Sequence, residues 1–256
     1  MMISLEQRYQ GCQLGLAVGD AVGTTVEFKP PGTFPLVEDM VDGGPFGLNP
    51  GEWTDDTSMA LCLAGSLITC KGFDARDQME LYVRWWKEGC LSSNGKSFDI
   101  GGTVSKALHR YQQTGNPFCG STDPHSAGNG SLMRIAPVAL FFAFDPERAI
   151  LLSGESSRTA HGARSFLDDC LYLSAGLLVG AVLGTCKEEL LVLPLCTGAR
   201  SLGVLTLCRE IDEIACGSFK QKPPPCNCRQ RLCAPVAGSG FVGLPPIVIL
   251  KGRLST

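Results

Sequence analysis

The sequence predicts an all-α protein, a compact single-domain helical bundle followed by an irregular C-terminal tail. Three observations predict it. Apolar residues recur at helical spacing through the first 190 residues, set between cap and stop signals. Alternation of period two, the mark of a half-buried strand, is scarce. Beyond residue 215 the helical period is lost and proline accumulates, with six of the 16 prolines in residues 216–256. A chain of 256 residues with 44% apolar side chains can bury one large core. The reading therefore divides the chain into a domain at 1–220 and an aberrant or disordered tail at 221–256.

The elements follow in order. Residues 5–22 carry apolar positions at helical spacing, and residues 57–70 form a second apolar helix that stops before Gly72. Asp74 opens a third as its N-cap, with Asp77 three residues on as an imperfect capping box, and Gly89 closes it. Residues 103–113 form a fourth, stopped by Gly115. Asp145-Pro146-Glu147 sets an N-cap, an N1 proline and a first-turn acid in succession, so a helix begins there. Residues 163–186 read as a long, mostly apolar helix. Its 17-residue uncharged run, Cys170 to Cys186, falls short of the roughly 20 that a spanning helix needs. Ser174, three glycines and Thr185 interrupt it, so a buried core helix is expected. Long loops at 23–56, 90–102 and 116–131 are the places for function.

Charge and cysteine narrow the classes. A net charge of −3 gives no reason to expect nucleic acid or an acidic membrane as partner. The 13 cysteines are odd in number and irregular in spacing. Met1 to Glu6 lacks the basic start and apolar stretch of a secretion signal. Reduced thiols and a cytoplasmic location are expected.

Four stretches carry chemistry. In Trp53-Thr54-Asp55-Asp56-Thr57, two adjacent carboxylates stand between hydroxyls at the head of an apolar helix. Hard cations such as Mg²⁺ take oxygen ligands of this kind, although Asp and Thr serve equally as helix caps. In Gly15 to Phe28, glycines at 15, 19 and 23 leave a smooth face for close packing, and Glu27 falls just past the helix end. In His125 to Arg134, a small-residue loop runs toward a helix and offers free backbone N–H groups, which suits a diphosphate or an ordinary turn. Ser97-Phe98-Asp99-Ile100-Gly101-Gly102-Thr103 and Thr159-Ala160-His161-Gly162 complete the set; His161 is one of only three histidines.

Read together, GDAVGTTVE, WTDDT, SFDIGGT, AGNGSLMR and TAHG resemble the ADP-ribosylglycohydrolase family across about residues 8–190. The resemblance implies the all-α bundle of that family and two Mg²⁺ ions at one site. It implies hydrolysis of the glycosidic bond that links ADP-ribose to a modified protein side chain or a small acceptor. The partner is then an ADP-ribosylated protein or a small ADP-ribose conjugate. Thr54, Asp55 and Asp56 would be metal ligands. Glu27 would act at the scissile ribose or its water, and Asp99 against the distal ribose and leaving group. Asn129, Gly130 and Ser131 would cradle the diphosphate, with His161 near the ribose or phosphates.

The C-terminal quarter departs from that pattern. Family members carry a second metal cluster, an Asp-x-Asp-Thr loop, whereas no acid follows Glu213 here and six Lys or Arg do. Residues 1–215 therefore carry −9 and the remainder +6. Cys208 to Lys220 still looks like the family. One permitted back-translation of Cys226 to Cys233, shifted by one base, reads Ala-Ile-Ala-Gly-Ser-Gly-Tyr-Val, which the family would place there. A frameshift near codon 225 is expected, with a similar patch at 191–207. On that reading the chain is a working hydrolase, a non-catalytic ADP-ribose-binding relative or an inactive truncated product. Two other patterns in the tail are weak. Gly238 to Gly243 matches G-x-G-x-x-G, but Pro245-Pro246 forbids the helix that should follow. Cys216, Cys226, Cys228 and Cys233 lack the paired spacing of a zinc site.

Overall fold

A computed structural model describes residues 3–186 except 31 and 127, together with 189–190 and 206–216. The expected tail at 221–256 and most of the 191–207 patch lie outside the described residues. Among those described, the fold is helical, and the β-structure is confined to isolated bridges at Gly43–Leu48 and Ser121–His161.

The first helix, α1, runs Leu5–Gly23. Ser4 caps it in a reciprocal capping box with Gln7, which satisfies two donors of the first turn. A 3₁₀ turn, Thr24–Val26, then delivers Glu27 to the start of the long connection. The second helix, α2, runs Asp55–Cys70, so it starts two residues before the expected 57. Acids in the first turn complement the helix dipole, and this is why Asp55 and Asp56 lie inside the helix. Helix α3, Ala75–Glu88, begins at the Asp74 N-cap and ends at Gly89. Gly89 has φ 69°, and a Cβ there would meet the Gly95 carbonyl, so only glycine closes this helix. Helix α4 is Gly102–Thr114, closed by Gly115. Next come a short helix, α5 (Ala136–Phe141), the one toward which the 125–134 loop runs and whose bounds the sequence did not give, and then α6 (Pro146–Ser157) on its Asp145 cap.

The expected helix at 163–186 divides. Its regular part, α7, is Arg164–Leu177; it widens into a π-helical stretch at Leu178–Val182. The wide turn leaves its last carbonyls to Arg8 of α1, whose Nε and Nη2 donate to Ala181 and Val182 oxygens at 2.9 Å each. Arg164–Val182 is long and apolar enough to cross a membrane by composition. It packs against α6, α5 and α1, as a core helix does. Finally α8, Arg209–Ala215, docks on α7.

Helix α2 is the axis of the core. Met59, Leu63 and Leu67 on it, Tyr82 and Trp85 on α3, and Leu108 on α4 are all within 1% of full burial. Each such side chain contributes about 1.5–3 kcal/mol relative to exposure. Because this packing fixes α2, it also fixes the acidic turn at its N-terminus.

Candidate functional site

The acidic turn is built across two helices. Thr54, Asp55 and Asp56 are 2%, 2% and 7% exposed. Thr54 stands at the N-cap of α2, yet its side chain makes no cap hydrogen bond. Asp20 of α1 does that work instead. Its Oδ2 accepts from the Thr57 N–H at 3.0 Å, the bond an N-cap side chain would accept, and also from the Thr54 N–H at 3.0 Å. The Thr57 and Thr54 hydroxyls donate to Oδ2 and Oδ1, each at 2.7 Å. Thr54 Oγ1 is meanwhile 3.4 Å from Asp55 Oδ1 and 3.4 Å from Asp56 Oδ2. Burial, then the neighbouring charge of Asp56, pushes the Asp20 carboxyl up to about 7, while hydrogen bonds from Thr57 and Thr54 pull the other way. The donor set around Thr54 is all oxygen and largely anionic, which fits a hard divalent cation. Thr54 thus stands at the N-cap position of α2 while Asp20 supplies the side-chain cap.

Glu27 is buried at 7% exposure and follows the 3₁₀ turn after α1, its N–H bonded to the Thr24 carbonyl. Asp99 lies on the loop before α4. Aromatic contacts join the two loops: Phe28 meets Phe46 at 6.3 Å between ring centroids, and Phe46 meets Phe98 at 5.4 Å. Thus the sequence neighbours of Glu27 and Asp99 share one aromatic cluster. Phe28 and Asp99 both hold left-handed backbone, φ 64° and 59°, a conformation that costs energy for a side chain such as Phe. Ser93 Oγ also donates to the Trp53 carbonyl at 2.7 Å, which ties the 90–102 loop to the acidic turn.

The small-residue loop and His161 come together by steric necessity. His161 is 1% exposed. A Cβ at Gly130 would lie 2.5 Å from Val104 Cγ2 and 3.1 Å from His161 Cε1, so only glycine permits this approach. Ser157 Oγ bonds Ser131 Oγ and the His161 carbonyl, both at 2.9 Å. Thr103 Oγ1 at the start of α4 donates to the Ser126 carbonyl at 3.2 Å. Asn129 is buried, and its Nδ2 has no hydrogen-bond partner among the described residues. A buried donor of this kind has a hydrogen bond left to offer. Arg134 ties the end of this loop to α2 and to the turn that carries His161. That fully buried guanidinium reaches Met59 Sδ at 3.8 Å, one turn along α2, and Thr159 Oγ1 at 3.2 Å, and it stacks on Tyr82.

Sequence reasoning missed two of these residues. Asp20 was hidden among the packing glycines of α1; the clue was a carboxylate on an otherwise apolar, glycine-lined face. Arg134 was visible only as the end of a loop motif, and its complete burial had no local sign.

The fold and site define an all-α protein with a carboxylate–hydroxyl turn beside a small-residue loop. Comparison with known proteins makes this specific. The family model for ADP-ribosylglycohydrolase matches residues 1–248, and the chain belongs to that family. It is 43% identical over 214 residues to ADP-ribosylarginine hydrolase Tri1 of Serratia proteamaculans (strain 568), covering 83% of this chain and 55% of that protein. The protein of the same name from Pseudomonas putida (strain GB-1) is 45% identical over 184 residues, with 72% and 49% covered. The ADP-ribosyl-dinitrogen reductase glycohydrolase of Rhodospirillum rubrum is 34% identical over 198 residues, with 73% and 63% covered. A solved structure of an ADP-ribosylglycohydrolase-related protein complex shares the fold with a TM-score of 0.71 at 40% identity, over 88% of this chain and 72% of that one. The chain spans about half the length of the two arginine hydrolases it matches.

Proposed function

We propose that this chain hydrolyses the glycosidic bond between ADP-ribose and a modified protein side chain, with Mg²⁺ held by Thr54, Asp55 and Asp56. The observation that carries this reading is the placement of Thr54 Oγ1 3.4 Å from a carboxylate oxygen of each aspartate, with the capping role passed to Asp20. The names of the relatives support the reaction class, and two of them support arginine as the acceptor.

When bound, Mg²⁺ would polarise and orient ribose hydroxyls and water at the anomeric carbon. The chain's own residues do the rest. Water adds across the bond between ribose C1″ and the acceptor: the hydroxyl goes to C1″, and a proton goes to the departing group. Glu27, buried just past α1, is the carboxyl that carries the proton at the scissile ribose or its water. Asp99 faces the distal ribose and leaving group. Asn129, Gly130 and Ser131 hold the diphosphate, for which the Asn129 amide supplies an unused buried donor, and His161 shapes the wall behind them.

The test is release of free ADP-ribose from an arginine-ADP-ribosylated protein, with Mg²⁺ and with EDTA. Release in Mg²⁺ and none in EDTA is expected. No release in Mg²⁺ overturns the reading.

A further inference from the structure

We propose that Asp20 is a positioning residue: it takes the proton of the Thr54 hydroxyl and so turns the lone pairs of that oxygen toward Asp55 and Asp56. The inference rests on the divalent-cation reading above and names the residue, outside the ligand set, that makes the turn able to bind.

A threonine at an N-cap ordinarily uses its oxygen to accept an N–H from the first turn. An oxygen so engaged has less to offer a cation. Thr54 is spared this role because Asp20 Oδ2 has already accepted the Thr57 N–H at 3.0 Å. A hydroxyl also has only one proton to place. Three carboxylate oxygens compete for the proton of Thr54, at 2.7 Å on Asp20 and at 3.4 Å on Asp55 and Asp56. The short contact is near the usual O–H···O distance and the other two lie at its outer limit, so the proton goes to Asp20. What faces Asp55 and Asp56 is then lone-pair density.

Asp20 cannot turn away from this task. Its second oxygen is fixed by three donors, the N–H groups of Thr54 and Thr57 at 3.0 Å and the Thr57 hydroxyl at 2.7 Å. All four contacts on Asp20 come from N–H or O–H groups, and these four donors favour the ionised carboxylate, which accepts on both oxygens, against the burial that opposes it. An asparagine would keep the three-donor side and present an NH₂ to Thr54. The hydroxyl would then accept from the amide, and its proton would swing toward the aspartates, where a cation cannot share the space.

The experiment is Mg²⁺ titration of the full chain by calorimetry, with metal-free thermal melting alongside. Asp20→Asn should melt cooperatively and bind Mg²⁺ about tenfold or more weakly, the scale of losing an outer-shell partner. Thr54→Val should also weaken binding, and the double variant should bind no more weakly than Thr54→Val alone, because Asp20 acts through Thr54. Asp20→Asn with affinity within about twofold of the parent overturns the inference, as does an additive double variant. Should Asp20→Asn fail to fold, Thr54→Ser against Thr54→Val decides: serine retains the affinity and valine loses it, and equal behaviour overturns the proposal. A parent chain that binds no Mg²⁺ overturns the divalent-cation reading itself. A binding parent with an indifferent Asp20→Asn overturns the positioning role alone.

Discussion

Asp55–Asp56 and Asp168–Asp169 are the same dipeptide on two helices, and their surroundings separate them. At the head of α2, both carboxylates sit beside a hydroxyl at 3.4 Å, and a third carboxylate, Asp20, closes the turn from α1. In the second turn of α7, Asp168 is fully buried and already committed. It accepts from Arg164 Nε at 2.9 Å and from the Cys208 N–H at 2.6 Å. Arg164 also donates to the Thr206 carbonyl, so the pair stitches the segment before α8 onto α7. Paired acids therefore do not announce a cation site. What marks the α2 turn is the pair of threonine hydroxyls, Thr54 and Thr57, that donate to Asp20 beside the two carboxylates. The α7 pair, with its arginine one turn back, is a structural fastening.

Breaking the first pair should have the largest effect, and on activity. Asp55→Ala or Asp56→Ala should lower ADP-ribose release by more than the ~10–100-fold typical of an outer-shell loss. The metal-free melting temperature should change little, because relief of the crowded negative charge offsets the lost interaction with the helix dipole. Activity within a few-fold of the parent would mean that the turn is a helix head and nothing more.

The second pair should show the reverse pattern. Asp168→Ala leaves the Cys208 N–H without its acceptor and releases Arg164 to solvent. A loss of about 1–3 kcal/mol of stability is expected, together with faster hydrogen exchange across Arg209–Ala215. Mg²⁺ affinity should stay as in the parent. If it fell tenfold, Asp168 would belong to the site and the contrast drawn above would collapse.

The small-residue loop sharpens the contrast from the ligand's side. Gly130→Ala puts a methyl 2.5 Å from Val104 Cγ2, an overpacking that costs about 1–3 kcal/mol. Calorimetry should show ADP-ribose binding weakened and Mg²⁺ binding kept. Adding Val104→Ala makes room for the methyl and should restore part of both stability and ADP-ribose affinity. An unaltered ADP-ribose affinity in Gly130→Ala would remove the loop from the site.

These differences also mark how far the sequence could be read. The helices announced themselves because capping is local: Asp74, Gly89, Gly115 and Asp145 all stand where helix ends were expected. WTDDT stood out because its residues are consecutive, and Thr54, Asp55 and Asp56 are buried together at the head of α2. The family resemblance read from it and from the GDAVGTTVE, SFDIGGT, AGNGSLMR and TAHG stretches holds. Asp20 was not legible as a partner of Thr54, since 34 residues separate them and only the packing of α1 on α2 brings them together. The bounds of the short helix α5 were not legible for a related reason: six residues give too little period to recognise. The π-helical end of α7 depends on Arg8, 173 residues away from the carbonyl it satisfies, and no local pattern encodes that.

The smallest expected effect concerns the outer member of the α7 pair. Burial, then the adjacent charge of Asp168, pushes the Asp169 carboxyl up to about 7 from an ordinary value of 3.8. Below the ordinary value, folded and unfolded chains both hold the proton, and Asp169 has no influence on stability. Between the two values the folded chain keeps a proton that the unfolded chain has lost, so stability falls as pH rises, and the penalty is complete above about 7. Asp169→Asn has no proton to lose. Its melting temperature, measured against the parent, should therefore be similar near pH 4 and should gain on the parent steadily up to pH 8. Parallel curves for Asp169→Asn and the parent would show that water reaches Asp169 in the folded chain.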